Sequence, residues 1–117
     1  MVDQRRPPAL PRVRQIIGSP EHELLFSAAS AWELAIKAQL GRIDLPSDLS
    51  EFIRRQLAVN GFVALPITVE HALRVAGLPP LHHDPFDRLL IAQALLEDVP
   101  LLTADRLIAQ YPVRVLW

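Results

Sequence analysis

The stretch His83-Asp84-Pro85-Phe86-Asp87-Arg88-Leu89-Leu90-Ile91-Ala92, followed at a distance by Thr103-Ala104-Asp105, decides how this chain reads. Asp84 fits a helix N-cap, Pro85 the first helical position and Asp87 the third, so a helix opens here and runs to about Glu97. The apolar run Val99-Pro100-Leu101-Leu102-Thr103 then reads as a strand, with Asp105 just past its end. One aspartate opens an apolar helix and another follows the next strand. Two carboxylates delivered to one edge of a sheet can hold a divalent metal.

Working outward, Leu24-Leu25-Phe26-Ser27-Ala28 and Phe62-Val63-Ala64-Leu65-Pro66 read as buried strands, and Val113-Arg114-Val115-Leu116 as a last one. Helices are expected from about Ala31 to Leu40, stopped by Gly41, and from Ser47-Asp48-Leu49 to about Val59, ended by Asn60-Gly61. The first of these carries the stripe Trp32, Ala35, Ile36 and Leu40 at spacings of three and four. Thr68 caps another helix that ends near Gly77, and a short helix covers about Arg106 to Ala109. Pro7, Pro8 and Pro11 leave residues 1–10 loose, with a short helix from Pro11 to Ile17. Strands that are apolar throughout and alternate with helices imply an α/β fold: a mostly parallel sheet with helices on both faces, in one domain over 1–117. Ligands of such folds bind beyond the carboxyl ends of the strands. Ser27, Glu33, Thr103 and Asp105 follow strand ends, and the helix start at Asp84 and Asp87 faces the same edge.

Each candidate also has a plain structural reading. Glu33 stands three residues after Ser30, as in a capping box, and four before Lys37, as in a helical ion pair. Asp84 is a good N-cap, Asp87 favours the positive end of its helix, and Asp105 can cap the turn from Arg106. Thr103 either ends its strand or supports a ligating carboxylate. His82 and His83 are adjacent, without a third histidine at ligand spacing, which is a weak metal signature.

Composition narrows the classes. Half of the 117 residues are hydrophobic and 21% are charged, which suits a folded domain. The net charge of −1 does not make a polycation for nucleic acid, and the dense basic cluster Arg5, Arg6, Arg12 and Arg14 reads as a solvated helix face. No apolar run is long enough to span a membrane, and the polar N-terminus has no signal-peptide core. The absence of cysteine rules out disulfides and fits a reducing compartment, so the expected location is cytoplasmic. Phosphate-binding Gly-rich loops, nucleophile elbows and zinc-finger spacings do not occur.

The segments Ser27-Ala28-Ala29-Ser30-Ala31-Trp32-Glu33-Leu34-Ala35-Ile36-Lys37 and Leu40-Gly41-Arg42 resemble the second strand and following helix of PIN-domain ribonucleases, VapC toxins of bacterial toxin–antitoxin pairs above all. Asp84-Pro85-Phe86-Asp87-Arg88-Leu89-Leu90-Ile91-Ala92-Gln93-Ala94, Leu101-Leu102-Thr103-Ala104-Asp105 and Pro112-Val113-Arg114-Val115-Leu116-Trp117 are similar to that group's later motifs, in order. The resemblance implies a metal-dependent endoribonuclease acting on RNA, with Mg²⁺ or Mn²⁺ as cofactor. It further implies a cognate antitoxin, a homodimer, and Glu33, Asp87 and Asp105 as the catalytic and metal-binding acids. Thr103, Ser27 and Asp84 stand as their supports. Family members begin with an apolar strand ending in an aspartate, whereas this chain begins Met1-Val2-Asp3-Gln4-Arg5-Arg6. The expectation is a PIN-like sheet truncated at its N-terminus and impaired as an enzyme. The alternative is a degenerate, non-catalytic PIN domain that binds an antitoxin or another partner.

Overall fold

The computed structural model describes residues 23–42, 48–103 and 105–117. The expected loose segment 1–10 and the helix from Pro11 to Ile17 lie outside them. The elements, in chain order, are β1 (Leu24–Ser27), α1 (Ala28–Gln39), α2 (Leu49–Asn60), β2 (Phe62–Leu65), α3 (Val69–Arg74), α4 (Pro85–Glu97), β3 (Leu101–Leu102) and β4 (Val115–Leu116). Short 3₁₀ turns cover Val75–Gly77 and Ile108–Gln110. The fold is α/β, and every strand pairing is parallel. In β1–β2, Leu24 faces Phe62 and Ser27 faces Leu65; in β3–β4, Leu101 faces Val115. Among the described residues these are two separate pairs rather than one continuous ladder. β1 and β3 are the buried members, while β2 and β4 are more exposed.

Helix α4 is the centre of the molecule. Leu90, Ile91, Ala92, Gln93 and Ala94 are all buried, so it is covered all round rather than along one stripe. Ala29 of α1, Leu65, Leu78, Leu101, Ile108, Tyr111 and Val113 complete the core around it. The start of α4 is as its sequence predicts: Asp84 caps it and Pro85 takes the first position. Its end is less usual. Asp98 adopts a left-handed conformation at φ 52°, which lets the chain turn directly toward β3. Gly61 does the same after α2 at φ 67°, where a side chain would be strained.

Helix α1 corrects one expectation. It starts at Ala28, three residues early, with Ser27 rather than Ser30 as N-cap. The Ser30–Glu33 capping box therefore does not form, because Ser30 already lies inside the helix. The buried face of α1 is Ala29 and Glu33; Trp32 and Leu40 are exposed at 56% and 60%, so the expected apolar stripe is not the core face. The capping box that does form is at α3, where Thr68 and His71 satisfy each other's backbone N–H groups. No helix among the described residues is long and apolar enough to cross a membrane.

A single buried amide joins the halves. Gln93 Oε1 accepts a short bond from Ser27 Oγ at the end of β1. Its Nε2 donates to Pro66 O at 3.3 Å and to His71 Nδ1 at 3.3 Å. Substituting Gln93→Leu keeps the volume but leaves the Ser27 hydroxyl without its acceptor and the Pro66 carbonyl without this donor. The expected loss is about 3 kcal/mol, at roughly 1–3 kcal/mol per unsatisfied buried group. Urea denaturation monitored by circular dichroism measures it; an unchanged midpoint would mean that the amide is not a structural hub.

Candidate metal centre

Three side chains meet beside the start of α4. His82 Nε2 lies 2.8 Å from Asp87 Oδ2 and 3.1 Å from Asp105 Oδ2. One ligand atom from each of the three lies within 4.8 Å of the others, and this is the group among the described residues with the arrangement of a metal site. Asp87 is fully buried, while the His82 and Asp105 side chains are 10% and 11% exposed.

Each position follows from local structure. Asp84 Oδ1 accepts from Phe86 N at 2.8 Å and Asp87 N at 3.2 Å, which fixes the first turn of α4 and so the place of Asp87. Asp105 Oδ1 accepts from Leu107 N at 2.9 Å, so Asp105 caps the turn after it as its sequence position suggests. Its other oxygen is then aimed at His82. Thr103 supports Asp105 through the backbone: its Oγ1 accepts the Asp105 N–H at 3.1 Å.

His82 sits on a proline-rich loop whose one internal backbone bond runs from Leu81 N to Pro79 O at 2.9 Å, and side chains hold the rest. Tyr111 Oη donates to Pro79 O at 2.7 Å and accepts from Leu81 N at 3.1 Å and His82 N at 2.9 Å. Arg88 Nη1 donates to Pro79 O at 3.1 Å, and Nη2 to Val75 O at 3.1 Å. On the imidazole, Nδ1 accepts the Asp84 N–H at 3.2 Å. In the neutral ring the proton is therefore on Nε2, between the two carboxylates.

That proton has electrostatic work. Two ionised carboxylate oxygens within 4.8 Å of each other repel by at least roughly 3 kcal/mol at an effective dielectric of about 20. A donor or a cation between them offsets this, and the site is built for one or the other.

The remaining sequence candidates are distributed around this group. Glu33 is buried to 8% exposure, 4.0 Å from Lys37 Nζ, and is not one of the three clustered residues. It lines a cleft of about 430 Å³ with Ile36, Lys37, Arg42, Asp84, Pro85 and Phe86, on the same N-terminal end of α4. Ser27 is turned elsewhere, capping α1 through Ala29 N at 3.0 Å and bonding Gln93. His83 is exposed, and His82, whose pairing with His83 is only a weak metal signature in the sequence, is the histidine that reaches the acids. Its partner Asp105 is 23 residues away, so only the tertiary fold reveals the contact.

The family model for the PIN domain matches residues 4–113 of this chain. Ribonuclease VapC16 of Mycobacterium tuberculosis is 32% identical over 75 residues, which are 61% of this chain and 52% of that protein. The chain thus spans about half the length of this curated relative. No solved structure gives a significant match.

Tyr111→Phe should loosen the loop that carries His82, because one hydroxyl serves three backbone groups there. The expected destabilisation is about 1–3 kcal/mol. Hydrogen exchange should rise at the Leu81 and His82 amides and stay unchanged in β1 and β2. Equal acceleration throughout would show that Tyr111 serves the core instead.

Proposed function

This chain belongs to the PIN-domain family, and we propose that it is a VapC-like, divalent-metal-dependent endoribonuclease that hydrolyses RNA phosphodiester bonds. The observation that carries this reading is the convergence of the Asp87 and Asp105 carboxylates on one point. Oxygen donors suit hard ions, so the pair fits Mg²⁺ or Mn²⁺. Such an ion, when bound, would activate a water and neutralise charge building on the phosphate. Asp87, held by a buried helix, and Asp105, held by its own cap and by Thr103, would bind it. Asp84 acts as the brace that sets Asp87. Glu33, across the cleft at the start of α4, would orient water or complete the ligand set.

The cleft also suits a polyanion. Lys37 and Arg42 on its wall would hold phosphate oxygens. Trp32 is exposed and makes a T-shaped contact with Phe86, ring centroids 5.0 Å apart, and its exposed ring surface would offer a base a place to stack. Following the VapC resemblance, the proposal extends to a cytoplasmic, homodimeric toxin controlled by a cognate antitoxin.

A second reading, a non-catalytic module held by a partner protein, is favoured by one observation. Helix α2 fully buries none of its residues: Phe52, Ile53 and Leu57 are half-buried, Val59 on the same helix is exposed, and so is Val63 of β2. Unspent apolar surface of this kind fits a protein partner.

Metal binding and cleavage separate the two. Mn²⁺ or Mg²⁺ should raise the melting temperature of the wild-type chain, since a ligand of the native state stabilises it. Asp87→Asn and Asp105→Asn should abolish the shift, and chelator-sensitive cleavage of single-stranded RNA should fall by orders of magnitude. A wild-type protein with no divalent-dependent shift and no cleavage, but with a tight protein complex, would support the module instead.

A further inference from the structure

His82 is not among the acidic residues of the proposed reaction, yet it occupies the point on which they converge. Its Nε2 stands between Asp87 Oδ2 and Asp105 Oδ2, where the potentials of the two carboxylates add. A cation shared by these carboxylates belongs at the same place. The ring's other nitrogen decides which role His82 has. Nδ1 accepts the Asp84 N–H, so its lone pair is in use and Nε2 carries the proton. A protonated nitrogen is a donor, not a ligand. To offer Nε2 to a metal the ring would have to move its proton to Nδ1, directly against the Asp84 amide proton.

We propose that His82 is an internal competitor for the divalent ion: its Nε2–H bridges Asp87 and Asp105 and must swing aside for a cation to bind between them. This rests on the metal-binding reading above and concerns how that site is regulated. The bridge keeps the two carboxylates from driving each other apart, and it sets a threshold that an ion must exceed. Because the Asp84 amide joins the same contact, ion entry is coupled to the loop over 79–84 and to the cap of α4. Tyr111 and Arg88 hold the backbone of that loop, so a rotation of the side chain is the movement available to His82.

The test is Mn²⁺ affinity, measured by electron paramagnetic resonance titration of the full chain for wild type, His82→Ala and His82→Gln, with folding checked by circular dichroism. His82→Ala should bind Mn²⁺ about tenfold more tightly, the reward for removing one charge-assisted hydrogen bond from competition. His82→Gln, whose amide N–H can still donate to both carboxylates, should stay near wild type. Electron spin echo spectra of the wild-type complex should show no coupling to an imidazole nitrogen. Weaker binding by His82→Ala, unchanged binding, or a clear nitrogen coupling would each overturn the competitor role while leaving the metal site standing. Should neither wild type nor His82→Ala bind Mn²⁺, the metal-binding reading itself falls and this proposal falls with it.

Discussion

The carboxylate of Asp84 holding the first turn of α4 is the contact on which the site depends. It accepts two backbone N–H groups that the helix cannot satisfy internally. With the first turn fixed, Asp87 has one place to stand, although it is fully buried and ionisable. The same residue's own N–H engages His82 and so selects the protonated nitrogen that faces the cluster. Helix start, buried acid and imidazole tautomer are therefore set together by one residue at the junction of loop and helix.

Helix α4 can serve both core and site because its two buried polar side chains lie on different sides. Asp87 and Gln93 are six residues apart, about 120° around the helix at 3.6 residues per turn. Asp87 faces His82 and Asp105, while Gln93 faces the end of β1, the end of β2 and α3. The apolar residues between them pack against Leu101, Ile108 and Tyr111 in the core. A helix covered on every side normally carries no polar group. Here each one is matched by partners from other elements, which locks the helix in rotation and in register.

What the sequence made legible was mostly local. The start of α4 could be read because Asp, Pro and Asp fall in their preferred positions within four residues, and the Asn60-Gly61 stop and the Thr68 cap are equally local. The α/β class followed from apolar strands alternating with helices, and the parallel pairings bear it out. Helix α1 starts three residues earlier than its sequence suggests, for a physical reason. Ser27 and Ser30 are both plausible caps, and the choice fell to Ser27 because Gln93, 66 positions away, accepts from its hydroxyl. The spacing of Trp32 suits either core or an interface, and the structure leaves it exposed, in T-shaped contact with Phe86. His82 reads from sequence only as half of a weak histidine pair, because its significance lies in where Asp105 arrives, and that depends on β3, the turn after it and the support of Thr103.

The loop bearing His82 shows why such a site cannot be assembled from short-range signals. Leu78-Pro79-Pro80-Leu81-His82-His83 contains two residues with no backbone donor, so it cannot close on itself as a helix or ladder. Its carbonyl and amide groups still need partners once they are partly buried. Arg88 reaches them from the first turns of α4 and Tyr111 from beyond the second 3₁₀ turn. The two side chains that order this loop thus come from the same segments that supply Asp87 and Asp105. Packing those segments together is the act that brings the carboxylates to one point, and the same packing satisfies the loop. The cluster therefore cannot form while the loop remains loose, and the loop cannot be ordered until the segments carrying the acids have docked.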